Sequence, residues 1–140
     1  MTDVERAREH LAGHTIALCK GEQVVTSDLR GIAPMLTLIG EGRDLAGWSA
    51  ADVIVGKAAA FLFAYAGIKE VYAKVLSKGG AAVLRGHGIP YSCGMLTPHI
   101  VNRKGDGICP MESAVADISD PAQAVRALNS RLRELREANQ

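Results

Sequence analysis

The chain has 140 residues, the size of one ordinary domain and long enough to bury a core without disulfide or metal staples. Its 16 basic and 15 acidic residues leave a formal net charge of +1, which removes the electrostatic grounds for an obligate nucleic-acid or membrane-surface partner. Three cysteines, Cys19, Cys93 and Cys109, are too few and too odd in number for a disulfide framework; they show no Cys-x-x-Cys zinc spacing, and they point to a reducing cytoplasm.

Taken in order, Thr2-Asp3-Val4-Glu5 fits a capping box and predicts a short helix ending near Gly13. The charged start lacks the apolar stretch of a signal peptide. Thr15 to Lys20 and Gln23 to Asp28 are β-prone runs separated by Gly21-Glu22, and glycine at the first central position suits a type II′ hairpin turn. Cys19 shares a face of the first run with Thr15 and Ala17, which reads as a small buried thiol. Pro34 suits the first turn of a helix through Ile39, because its missing N–H is not needed there, and Gly40 and Gly42 stop it.

Ser49-Ala50-Ala51-Asp52 resembles a second capping start, with Trp48 placed to staple against Val53. The expected helix runs to about Tyr65, is apolar on every face and would be the central buried helix, with Gly67 as its stop. The apolar run from Val53 to Ile68 is broken by Gly56, Lys57 and Gly67 and is too short and Ala-rich to span a bilayer.

Lys69 to Leu76 alternates as a strand, Ser77-Lys78-Gly79-Gly80 turns into a short helix through Leu84, and Ile89 to Leu96 gives a further strand. Strand, helix, strand in that order is a βαβ unit with two parallel strands. The sheet is therefore expected to be mixed, an antiparallel hairpin joined to a parallel pair. After the loop from Thr97 to Ile108, Pro110 opens a helix that turns Met111, Ala114, Val115 and Ile118 to the core. Asp120-Pro121 opens a last helix, residues 121–138, with Val125, Leu128, Leu132 and Leu135 on one stripe. We expect residues 1–140 to form a single domain, with this helix docked on it or used at a homo-oligomer interface.

In a parallel βα arrangement ligands bind beyond the carboxyl ends of the strands. Two loops meet that condition. Ser77, Lys78 and Gly79 offer a hydroxyl, an ammonium and helix-start amides, while Asn102, Arg103 and Lys104 add polar and cationic groups beside Gly105 and Gly107. Together they suit a small anionic molecule, although neither loop matches a Walker or Rossmann pattern. Cys109 precedes Pro110 and so falls at a helix cap, where free amides favour a thiolate that is a nucleophile; the competing reading is packing. Glu112 either returns to the Cys109 amide as half of a capping box or serves as an acid/base partner. Lys57, the one charge in an apolar helix, either meets an anion or snorkels to solvent. Gly56 beside it suggests close backbone approach. A metal site built from Cys93, His99 and Cys109 has no regular spacing behind it, so no metal or cofactor is expected.

Asp52-Val-Ile-Val-Gly-Lys-Ala-Ala-Ala60, Gly67-Ile-Lys-Glu-Val-Tyr-Ala73, and Ile100-Val-Asn-Arg to Gly107-Ile-Cys-Pro-Met-Glu112 resemble domain-of-unknown-function family 1893. The resemblance implies a cytidine deaminase-like fold, a three-layer α/β/α sandwich around a mixed sheet. Zinc deaminases carry His-Ala-Glu and Pro-Cys-x-x-Cys at two helix starts. The corresponding places here read Lys57-Ala58-Ala59 and Ser77-Lys78-Gly79-Gly80, so the zinc ligands do not carry over. Two functions follow as expectations: a cytoplasmic enzyme of small-molecule chemistry with Cys109, Lys57 and Glu112 catalytic, or a non-catalytic ligand-binding or regulatory domain using the same pocket.

Overall fold

The computed structural model of the chain describes residues 1–101, 105 and 107–138. The first helix, α1 (Asp3–His10), opens with the expected capping box: the Thr2 hydroxyl accepts from the Glu5 N–H, and the Glu5 carboxylate accepts from the Thr2 N–H. The hairpin follows as β1 (Ile16–Lys20) and β2 (Gln23–Ser27), paired antiparallel through a turn in which Gly21 alone has positive φ, +61°, as its first central position requires. Helix α2 (Ala33–Gly40) carries Pro34 in its first turn.

The expected helix over residues 49–65 divides in two. Ser49–Val55 is strand β3, Gly56 is a cap, and only Lys57–Ala66 is helix, α3, ending on the left-handed Gly67. The physical reason is burial on both faces. β3 lies between β1 and β4, and a strand covered on both sides reads as a continuous apolar run that periodicity cannot distinguish from a buried helix. The proposed Trp48–Val53 staple falls with it: Val53 belongs to the strand, and Trp48 packs in the main core with the Arg43 guanidinium 5.8 Å from its ring centre.

The strand β4 (Glu70–Ser77), the helix α4 (Lys78–Gly86) and the strand β5 (Tyr91–Thr97) form the expected parallel βαβ unit. Because β3 also pairs parallel with β4, β3-α3-β4 is a second such unit. The five-stranded mixed sheet has the order β2-β1-β3-β4-β5. A short helix α5 (Pro110–Ala114) and the long α6 (Pro121–Ala138) complete the chain.

Alternation along β1 separates the two faces. Ile16 and Leu18 enter the main core under α3, α4 and α6, whereas Ala17 and Cys19 join Ala7, Leu11, Ala51 and Tyr72 in a smaller core under α1. The result is a three-layer α/β/α arrangement. α6 buries Ala124 and Leu128 against α3 and α5, so its apolar stripe is used within the chain. No helix of the described residues is long and apolar enough to cross a membrane.

In β3 the alternation slips by one position. Ala50 and Val55 both enter the main core although an odd number of steps separates them. The slip falls beside Asp52. This side chain is buried, and desolvation raises its pKa to about 8.

Candidate functional site

The carboxyl ends of β3 and β4 deliver two helix starts side by side. α4 begins with a local cap: the buried Ser77 hydroxyl accepts from the Gly80 N–H at 2.9 Å. α3 begins at Gly56, which has no side chain to cap with. Its free amides are met instead by Glu112 of α5, whose two carboxylate oxygens accept from the Lys57 N–H at 2.8 Å and the Ala58 N–H at 2.7 Å. A carboxylate at a helix N-terminus is favoured both by these charge-assisted bonds and by the helix dipole.

Two glycines make this approach feasible. A Cβ on Gly56 would overlap the Glu112 carboxylate, 2.5 Å from Cδ, and would lie 2.8 Å from Ile100 Cγ1. A Cβ on Gly80 would stand 3.0 Å from the Gly56 carbonyl. The closeness expected at Gly56 is thus an approach of the chain's own carboxylate. The expected return of Glu112 to the Cys109 amide does not form, because that amide donates to the Ile100 carbonyl at 3.1 Å. α5 is held in turn by α6, where Arg131 Nη1 donates to the Pro110 carbonyl at 2.8 Å and to the Ser113 hydroxyl at 3.0 Å.

Lys57 is not inside a buried helix but at the first position of α3. Its Nζ donates to the Ala116 carbonyl at 2.8 Å and lies 5.8 Å from the Phe61 ring centre. Lys57, Ser77, Gly79, His99, Ile100 and Glu112 line a cavity of about 240 Å³ between the two helix starts and the segment after β5. The two loops expected to be neighbours therefore are. Lys78 opens α4 without lining this cavity, and Cys109 caps α5 with its thiol outside the lining and without a side-chain capping bond. Asn102 and Arg103 lie outside the described residues. A larger depression, about 680 Å³, borders Lys20, Glu22, Arg43 and Trp48 near the hairpin turn, away from the strand ends where the helix amides converge.

His99, which the sequence offers only as a weak metal ligand, and Ile100, which opens the third family-like stretch, also line the cavity from the loop after β5. Among the described residues no three His, Cys, Asp or Glu side chains gather to hold a metal, so Cys93, His99 and Cys109 do not form a site there. Lys57 and Ser77, at the starts of α3 and α4, offer an ammonium and a hydroxyl, a donor set that does not fit zinc.

A family model described as a domain of unknown function (DUF1893) matches residues 7–132. Among solved structures, the chain resembles a DUF1893 family protein of Thermotoga maritima with a TM-score of 0.84 at 24% identity, covering 94% of this chain and 91% of that one. No curated protein matches the chain.

Proposed function

This chain belongs to the DUF1893 family, whose description names no activity, and from the geometry of its own site we propose that it binds a small anionic or nucleotide-like molecule without zinc chemistry. The observation that carries this reading is the cavity at the ends of the parallel strands, where Lys57, Ser77, Gly79 and His99 border one space that Glu112 also meets. At about 240 Å³ that space falls below the usual range for whole cofactors, roughly 300–1,000 Å³. It suits a phosphate or carboxylate end of a ligand whose remainder lies outside.

We read the scaffold as cytidine deaminase-like, supported by a mixed sheet with helices starting at the ends of β3 and β4. On that scaffold Lys57 supplies a positive charge near the position of the metal in zinc deaminases. Binding rather than cysteine catalysis is the reading supported best, because Cys109 does not border the cavity.

Calorimetric titration with inorganic phosphate, nucleoside monophosphates and small carboxylates tests it. We expect a phosphate-bearing member to bind, Lys57→Met to weaken it roughly tenfold or more through loss of a charge-assisted contact, and Cys109→Ser to leave affinity unchanged. Heat from none of these anions, or loss of binding in Cys109→Ser with Lys57→Met unaffected, overturns the proposal.

A further inference from the structure

The cavity that would take an anion already borders one of the chain's own. Glu112 lines it, and its carboxylate holds the Lys57 and Ala58 amides of α3, one oxygen on each. The Lys57 ammonium, the cation on the same wall, has no carboxylate within ion-pairing distance among the described residues and donates to the Ala116 carbonyl. Two N–H groups and one ammonium at the start of α3 are thus all turned onto residues 112–116. An incoming anion finds none of these three donors open.

The segment that occupies them is lightly anchored. No residue of α5 is buried; Met111 and Ala114 pack only partly covered against the main core, and full burial begins at Val115, just beyond the helix. The remaining attachments are polar. Glu112 holds α5 to α3, and from α6 Arg131 holds the Pro110 carbonyl and the Ser113 hydroxyl. A polar attachment of this kind can be exchanged for an equivalent one, because a phosphate oxygen accepts from the same helix-start amides with the same charge assistance. Gly56 serves either anion, since it has no Cβ to overlap the group that meets those amides.

We propose, resting on the anion-binding reading above, that Glu112 is the internal occupant of the ligand site. Its carboxylate stands where the anionic end of a ligand binds, and the ligand enters by taking its place on α3. Two states follow: one with α3 capped by Glu112, the other with α3 capped by the ligand and α5 loosened. Affinity is lowered by the protein's own preference for the first state. Arg131, which touches α5 and does not line the cavity, biases the balance toward the self-capped state.

Calorimetric titration of the full chain with inorganic phosphate, together with amide hydrogen exchange, tests the competition. We expect weak binding to the native protein and binding roughly tenfold tighter or more in Glu112→Ala. Glu112→Gln, which keeps one acceptor oxygen for the helix start, is expected to fall between them and covers the case in which Glu112→Ala does not fold. Arg131→Gln removes a cation, which by charge alone would weaken an anion, yet it is expected to bind phosphate severalfold tighter because it frees α5. In the native protein, saturating phosphate should speed exchange at Ser113, whose N–H donates to the Cys109 carbonyl, by roughly tenfold, while Lys57 and Ala58 stay protected. Exchange at Ser113 that slows or does not change, or weaker binding in Arg131→Gln, overturns the proposal. Equal affinity in the native protein and both Glu112 variants, with Lys57→Met still weakening it, overturns self-occupation and leaves anion binding standing. Heat from none of these proteins, with nucleoside monophosphates as with phosphate, removes the anion site and this proposal with it.

Discussion

α3 and α4 start beside one another at the same end of the sheet, but their first turns are completed in opposite ways. α4 is capped by the residue immediately before it, Ser77, whereas α3 is capped by a carboxylate 55 residues further along the chain from Lys57. A local cap contributes to one helix only. A remote cap also fastens the contributing segment, here α5 and the loop leading to it, onto the sheet. The same two amides thus hold together parts of the fold that share little other contact, and that is the segment forming one wall of the candidate cavity.

Breaking the remote cap should have the largest effect. Glu112→Ala leaves the Lys57 and Ala58 amides without their charge-assisted acceptor and is expected to cost about 3 kcal/mol or more, measured by urea unfolding at neutral pH. Gly56→Ala drives a methyl into the same carboxylate and should cost at least as much. If Gly56→Ala unfolds at the native urea midpoint, the close approach of Glu112 is refuted.

A second carboxyl, Asp52, sharpens the comparison because it is buried without any helix terminus to stabilise its charge. With a folded pKa of about 8 against an ordinary 3.8, it is neutral in the fold and ionised in the unfolded chain between those values. Rising pH therefore favours unfolding through that window, by about 1.4 kcal/mol per pH unit, and the loss levels off above the folded pKa. Asp52→Asn, which has no charge to bury, should be more stable than the native chain by a few kcal/mol at pH 9. That gain should vanish below about pH 4. A pH-independent difference between the two proteins would contradict the burial argument.

The smallest effect is expected at the local cap. Ser77→Ala removes one hydroxyl acceptor from the Gly80 N–H and should cost about 1 kcal/mol, with the cavity wall around Glu112 unchanged as read by hydrogen exchange at Lys57 and Ala58. A cost equal to that of Glu112→Ala would erase the distinction between the two helix starts.

The same distinction explains what was legible in the residues. The Thr2–Glu5 box, the Gly21 turn and the β4-α4-β5 unit rest on neighbours in sequence, and their signals are local chemistry. Ser49–Val55 reads as helix because a strand buried on both faces loses its alternation, and because the Ser49 and Asp52 pattern of a helix cap falls by coincidence in its first half. Glu112 was recognised as a capping residue, but of the wrong helix, since spacing identifies the amides nearby and not those brought near by folding. Gly56 carries the one usable hint, a glycine inside an otherwise apolar run that suggests close backbone approach. The cavity's position at the strand ends could be anticipated from topology, while the contributions of His99 and Ile100 depend on the path of the loop after β5, which no periodicity encodes.

The remote cap also has a consequence for synthesis. A ribosome adds residues in order, and at about 5–20 residues per second the chain through α3 emerges several seconds before Glu112. Throughout that interval α3 has its apolar faces but not its first-turn acceptor, so β3-α3-β4 forms without its final fastening. Any truncation ending before Glu112 stays in that condition permanently. The last third of the chain is therefore what completes a helix encoded in its middle, and the nascent protein reaches its full stability only when α5 has arrived.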